Sequence, residues 1–203
     1  GMLSCAPCAP GEFSPAPTVA CAPCGVGQVP SDPATACEAD AATLGGVGVA
    51  AVAGVLYVAG GMTNGGQLLT SVEKFDPKTD TAWNTSVPAL VPLDGDTPGR
   101  YLFALVAIPT STSGLFAIGG TDRTSPSNSV CLYNPSGSPH WTKNVPQLPA
   151  PRFGHGAASF YWTSQYAGAR WFILVVGGAG ESGPQWTNRT DLFDNENYAW
   201  RLT

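Results

Sequence analysis

Between Leu56 and Trp200 the chain repeats one pattern three times: an apolar run ending in Gly-Gly, then an aromatic residue, then a tryptophan. The first copy reads Leu56-Tyr-Val-Ala-Gly60-Gly61, then Phe75-Asp-Pro, then Trp83. The second reads Leu115-Phe-Ala-Ile-Gly119-Gly120, then Tyr133-Asn-Pro, then Trp141. The third reads Ile173-Leu-Val-Val-Gly177-Gly178, then Phe193-Asp-Asn, then Trp200. Doublets beginning at Gly60, Gly119 and Gly177 are 59 and 58 residues apart, and each tryptophan lies 21 or 22 residues past its doublet. Such a period means one supersecondary unit used again and again, which constrains architecture more tightly than local propensity does.

Each copy resolves into four strand-like runs. They fall at about residues 47–52, 55–59, 72–75 and 82–84 in the first copy, and 102–108, 115–118, 130–133 and 141–144 in the second. In the third they fall at 157–162, 172–176, 190–193 and 198–201. Four short antiparallel strands make a sheet that is apolar on both faces. Such a sheet is not stable alone and must stack face to face with copies of itself, which is the logic of a propeller blade. Composition agrees: 25 glycines and 19 prolines in 203 residues favour short strands and tight turns, and 43% hydrophobic residues with six tryptophans supply a core. Gly-Gly gives a turn without Cβ strain where chains crowd. Phe75, Trp83, Tyr133, Trp141, Phe193 and Trp200 are read as packing residues of the seams between sheets, not as ligands.

These residues resemble the kelch family. A Gly-Gly after a four-residue apolar strand, an aromatic before Asp-Pro and a following tryptophan form the kelch signature, and Arg100 and Arg152 match the arginine that opens kelch blades. Arg152-Phe-Gly-His155 keeps the family's Arg-x-x-His form. The resemblance covers 42–203 and implies an all-β, partial kelch β-propeller of three four-stranded blades, at about 42–95, 100–147 and 152–203. There are departures. The first blade has no opening arginine, the third carries Asp194-Asn195 in place of Asp-Pro with Phe193 for tyrosine, and the period exceeds the ~50 residues usual for kelch. Propellers close with four or more blades, so three imply further blades or partners on the open faces.

Residues 1–40 are different in kind. Cys5-Ala-Pro-Cys8-Ala-Pro-Gly11 recurs as Cys21-Ala-Pro-Cys24-Gly-Val-Gly27, and Cys37 begins a third copy lacking its second cysteine. This resembles the cysteine-rich repeats of ephrin-receptor-like extracellular regions, and implies a stapled extended module. Two chemistries compete for the four cysteines of the Cys-x-x-Cys pairs: a four-thiolate zinc site and a disulfide ladder. Cys37 extends the period beyond four ligands, the spacers are proline-rich, and no cation lies near to offset a tetrathiolate charge, so the ladder is favoured. In that ladder Cys8–Cys21 and Cys24–Cys37 pair, each stabilising a coreless segment by about 3 kcal/mol on the chain-entropy model, and Cys5 pairs upstream. Two sequons, Asn84-Thr-Ser and Asn188-Arg-Thr, are expected on exposed loops, and with the cysteines they point to a secreted or cell-surface glycoprotein.

Other chemistry was sought along the chain. A net charge of −5 argues against nucleic acid. No Lys or Arg precedes Lys74, so a signal peptide is expected only upstream. The uncharged stretch 44–61 approaches the length of a membrane span, but six of its residues are glycine and Ala53-Gly54 falls where a hairpin turn belongs. Similar breaks are expected at 109–114 and 163–168 in the sister copies. Gly46-Val-Gly48-Val-Ala-Ala51 fits a dinucleotide fingerprint formally but lies inside a strand pair rather than opening a helix. His140, His155 and Cys131 would need three loops to converge on a metal, and Cys131 reads as a buried thiol in preference to a disulfide partner of Cys5. No catalytic, metal or cofactor residue is assigned. The expected function is a non-catalytic interaction or structural module, acting through the open blade faces and the long loops 62–70, 121–128 and 179–188. Its partners would be a protein or further blades, with a glycan as a lesser candidate. The rival is part of an extracellular kelch-propeller enzyme, an oxidase or carbohydrate-active protein, with its active site in blades outside this segment.

Overall fold

The computed structural model describes residues 12–13, 22–23, 28–30, 37–39, 45–63, 66–90, 99–109, 114–135, 137, 140–143, 145–164, 168–180 and 186–202. It divides into two compact units, residues 1–44 with 63–67, and residues 45–62 with 68–203. In the first unit β1 (Glu12–Phe13) pairs antiparallel with β2 (Ala22–Pro23), and β3 (Gln28–Pro30) with β4 (Cys37–Ala39). Cys5, Cys8, Cys21 and Cys24 lie outside the described residues, and of Cys37 only the backbone, opposite Pro30, is described. The disulfide and zinc readings therefore both rest on the sequence.

The second unit is three antiparallel sheets in chain order. Blade 1 holds β5 (Gly48–Val52), β6 (Val55–Ala59) and β7 (Val72–Phe75). Blade 2 holds β8 (Ala104–Ile108), β9 (Gly114–Ile118), β10 (Val130–Tyr133) and β11 (Trp141–Thr142). Blade 3 holds β12 (Gly156–Ser164), β13 (Gly168–Val176), β14 (Thr190–Asp194) and β15 (Ala199–Leu202). No helix occurs among the described residues, and none is long and apolar enough to cross a membrane. Within each blade the strands follow one another as a meander, so the first strand, β5, β8 or β12, is always an edge.

Two departures from the sequence reading have physical causes. Blade 1 has three strands, and its expected fourth, 82–84, is reduced to a single bridge, Lys74 to Asn84, closed by two hydrogen bonds of 3.0 and 2.8 Å. In blade 3 the first hairpin is nine residues per strand instead of five, so Thr163, Ser164 and Gly168 are strand and not break. Cross-strand aromatic pairs hold that extension: Phe160 stacks on Phe172 at 5.5 Å, and Tyr161 packs tilted against Trp171 at 5.2 Å. The turn at Ala53-Gly54 stands where expected, with φ of 54° and 83°, the left-handed pair that a two-residue hairpin requires.

Each blade turns one face forward to the next blade and one backward to the preceding blade, as strand alternation dictates. The front of blade 1, with Tyr57, Ala59 and Val72, buries against the back of blade 2, with Leu105, Leu115, Ala117 and Tyr133. The front of blade 2, with Val106, Ile108, Phe116 and Ile118, buries against the back of blade 3, with Ile173, Val175 and Phe193. Strand β9 is buried along its whole length because blade 2 alone is covered on both faces.

The glycine doublets are part of the seam. In all three, both residues have positive φ, from 59° to 71° at the first and 92° to 101° at the second. A Cβ at Gly60 or Gly119 would sit 2.7 Å from the carbonyl of Arg100 or Arg152, the residue that opens the next blade. At Gly177, in the last blade, the nearest atom would be the Thr187 carbonyl at 3.5 Å. The crowding is the arrival of a following blade.

Candidate functional site

Arg100 and Arg152 each thread a guanidinium into their own blade, and both are buried. Arg100 Nη1 donates to the carbonyls of Ala117 and Gly119, both at 3.3 Å, and its Nη2 reaches Ser129 Oγ at 3.5 Å and Cys131 Sγ at 3.4 Å. Arg152 Nη1 donates to the carbonyls of Gly177 at 3.3 Å and Arg189 at 3.4 Å, and its Nη2 to Asp191. Arg189 Nε donates to the same oxygen of that fully buried carboxylate, Oδ2, at 2.9 Å, and Arg189 Nη2 to its Oδ1 at 3.2 Å. Burial lowers the Arg152 guanidinium from its usual range, and Asp191 opposes that. The backbone of each arginine closes the seam behind it: Gly61 N–H donates to Arg100 O at 2.8 Å, and Gly120 N–H to Arg152 O at 2.9 Å. These arginines are structural ties between blades.

The tryptophans do the same work at the outer strand. Trp141 Nε1 donates to the Pro88 carbonyl of blade 1 at 3.0 Å, and Trp200 Nε1 to the Pro146 carbonyl of blade 2 at 2.7 Å. Each indole packs on its blade's aromatic, Trp141 on Tyr133 at 5.0 Å and Trp200 on Phe193 at 5.1 Å. Trp83 keeps that partner, Phe75 at 5.5 Å, but is 44% exposed, which corrects the expectation that it fills a seam. It belongs to the back of blade 1, where the described residues place no preceding blade.

His155 and His140 are not brought together. His140 lies after β10, its Nδ1 3.2 Å from the Asn134 carbonyl. His155 sits in the second seam, packed on Gly119 of blade 2 and Gly178 of its own blade. It takes the place that Phe103 holds in the first seam, against Gly60 and Gly120. Neither ring nitrogen has a hydrogen bond of good geometry, the Ile118 backbone giving only a weak polar contact. Burial, reinforced by the Arg152 cation, lowers its pKa to about 4. Cys131 is a free, buried thiol, as read from the sequence. Among the described residues no three His, Cys, Asp or Glu side chains group as metal ligands.

The depressed His155 pKa fixes a pH dependence. The unfolded chain binds a proton below pH 6.5, and the folded chain does so only near pH 4. Stability is therefore full above pH 6.5 and falls as pH drops toward 4, by about 3 kcal/mol at 1.36 kcal/mol per unit. The Asp194 carboxyl acts at lower pH. Burial would raise it, but hydrogen bonds from Asn197 and Glu196 and the Arg170 cation outweigh burial and hold it below its usual value. His155→Phe should flatten the slope of unfolding free energy between pH 4 and 6.5, measured by urea titration. An unchanged slope would place the titrating group elsewhere.

The three long loops leave the second strand of each blade, so they share one rim. Their bases repeat: Met62, Thr121 and Ala179 each bridge backward to Gly45, Tyr101 or Phe153 and forward to Leu68, Pro126 or Trp186. Only the tips differ in length. Trp186 is 74% exposed there, a residue that the repeat pattern did not single out because it occurs in one copy. Both sequon asparagines, Asn84 and Asn188, are exposed. Most of the other large exposed apolar residues collect at the ends of the stack; the exceptions are Tyr161, on the back of blade 3, and Tyr198, in the turn before β15. Val49, Leu56 and Trp83 lie on the back of blade 1, and Phe160, Trp162 and Val176 on the front of blade 3.

A family model of the Kelch motif matches residues 44–81, the span that contains β5, β6 and β7. No curated protein matches the chain. The chain thus carries a Kelch motif in its first blade, and its fold is an all-β, partial propeller of the kelch type.

Proposed function

We propose that the chain is a non-catalytic protein-interaction module of a secreted or cell-surface protein. The observation that carries the reading is where most of the large exposed apolar side chains fall: on the two end faces of the stack and, with Trp186, on the loop rim. The Kelch motif supports it, since repeated blades of this type serve mainly as binding frames. The buried polar groups Arg152, Asp191 and His155 are used in holding blades together, which leaves the rim and ends for recognition. The extracellular part rests on the cysteine spacing, with Cys8–Cys21 and Cys24–Cys37 as disulfides, and on glycan at Asn84 and Asn188. The test immobilises the intact chain over a displayed set of extracellular proteins. Saturable binding that is lost in Trp186→Ala, with the thermal midpoint unchanged, is the expected result. No saturable binder, or binding indifferent to Trp186 and to all three rim loops, would sink the rim as a recognition surface.

A further inference from the structure

We infer that the long first hairpin of blade 3 is a lipid-anchoring finger, which seats aromatic side chains in the headgroup layer of an anionic bilayer. Its length sets it apart from its sisters. The hairpin of blade 1 ends at the pair Val52–Val55, and that of blade 2 at Ile108–Gly114. The counterpart of those pairs in blade 3 is Phe160–Phe172, and four more pairs follow it, out to Ser164–Gly168. They carry the ribbon about 13 Å past the ends of the sister hairpins. Strand β14 pairs with β13 only from Phe172 onward, and past the Asn195 N–H that donates to Trp171 O the described residues give the ribbon no third strand. The finger leaves the rim opposite to the three long loops, because those loops follow the other end of the second strand.

A blade following blade 3 would cover Phe160, as the internal seams cover Val52 and Ile108, but not the pairs past that level. There Tyr161 is 54% exposed on one face of the ribbon and Trp162 48% exposed on the other. Both already pack on a ring, Tyr161 on Trp171 and Trp162 edge-on to Phe172 at 6.3 Å. Holding the ribbon together therefore leaves about half of each side chain uncovered. A protein surface meets one face of a ribbon, whereas a headgroup layer surrounds it, and aromatics on both faces need the second kind of cover. Tyr and Trp suit that depth, with an apolar body and a polar tip. The open backbone edges need water or headgroup partners, so the finger lies in the interface and does not span. Charge points the same way. From Arg123 to Gly180 the chain has no Asp or Glu and carries Arg123, Lys143, Arg152 and Arg170, although its net charge is −5. Arg170, opposite Trp162, is the one charged residue of the hairpin. The carboxylate it meets, Asp194, is buried, and Glu196 stands in the turn before β15. A finger without acids, on a chain that is acidic elsewhere, fits an anionic lipid surface.

The intact 203-residue chain is sedimented with vesicles of phosphatidylcholine alone and of phosphatidylcholine with about 30% phosphatidylserine. Binding to the mixed vesicles is expected, and about tenfold weaker binding to phosphatidylcholine alone. Tyr161→Thr combined with Trp162→Thr keeps strand-forming residues, so circular dichroism and the urea midpoint should stay near wild type while vesicle binding falls about tenfold or more. Brominated acyl chains should quench tryptophan fluorescence of the wild type and not of the double variant. Trp186→Ala, at the opposite rim, should bind vesicles as the wild type does, so the finger and the loop rim stand or fall separately. No sedimentation with either vesicle, or binding unchanged in the double variant, overturns the inference. Equal binding to the two vesicle types overturns the anionic preference. Hairpin-dependent capture of a soluble protein or glycan without vesicle binding overturns lipid in favour of that partner.

Discussion

Replacing Asp191 with alanine should lower the unfolding free energy by about 3–5 kcal/mol, read from the urea midpoint. The carboxylate is fully buried, and its Oδ2 accepts from both Arg152 and Arg189 while Oδ1 accepts from Arg189 alone. Removing it leaves a buried guanidinium beside a second cation with no counter-charge, and desolvation cost then dominates. Asp191→Asn keeps shape and one acceptor but not the charge, so it should recover only a minor part of the loss. Glu73→Ala, at the equivalent position of blade 1, should cost less than about 1 kcal/mol, because its half-buried side chain faces an open end. A loss under 1 kcal/mol at Asp191 would mean that the second seam holds without its ion cluster.

Phe193→Ala should also cost about 3–5 kcal/mol, by lost burial and an unfilled cavity. Its ring is fully buried, meets Phe116 of blade 2 at 5.8 Å across the seam, and supports Trp200 at 5.1 Å. The sister change Phe75→Ala removes a half-buried ring whose tryptophan partner is itself 44% exposed, and about 1–2 kcal/mol is expected there. The ratio between the two is the informative quantity. Equal losses would show that the aromatic pair stabilises its own sheet rather than the contact between blades.

Much of this frame was readable before any coordinates. The doublet at Gly119-Gly120 could be placed from its spacing alone, and its two positive φ values follow from a turn that no side chain tolerates. The hairpin at Ala53-Gly54 was legible from Gly54, whose φ of 83° suits the turn. Trp83 was not. Its sequence context matches those of Trp141 and Trp200, and what differs is a neighbouring blade whose carbonyl would receive the indole N–H. Periodicity reports which faces are apolar and is silent on what covers them. The end of β12 is hidden because Thr163-Ser164 has loop composition, and the aromatic pairs that extend the hairpin form only once its two strands are in register. The ion cluster was hidden because position 191 is aspartate in one copy, Cys131 in another and Glu73 in the third. Trp186 stood outside every repeat.

The unequal cover of the three blades sets an order of events on heating. Among the described residues blade 2 has a neighbour on each side, whereas blades 1 and 3 each have one, and blade 1 also lacks a full fourth strand. In a linear array of coupled units, opening begins where a unit loses the fewest couplings. Amide protons of β6 and β7 should therefore exchange through small fluctuations, those of β14 through larger ones, and those of β9 only when the whole array melts. The three-blade array frays from its first blade inward, like a zip opened from the end with fewer teeth.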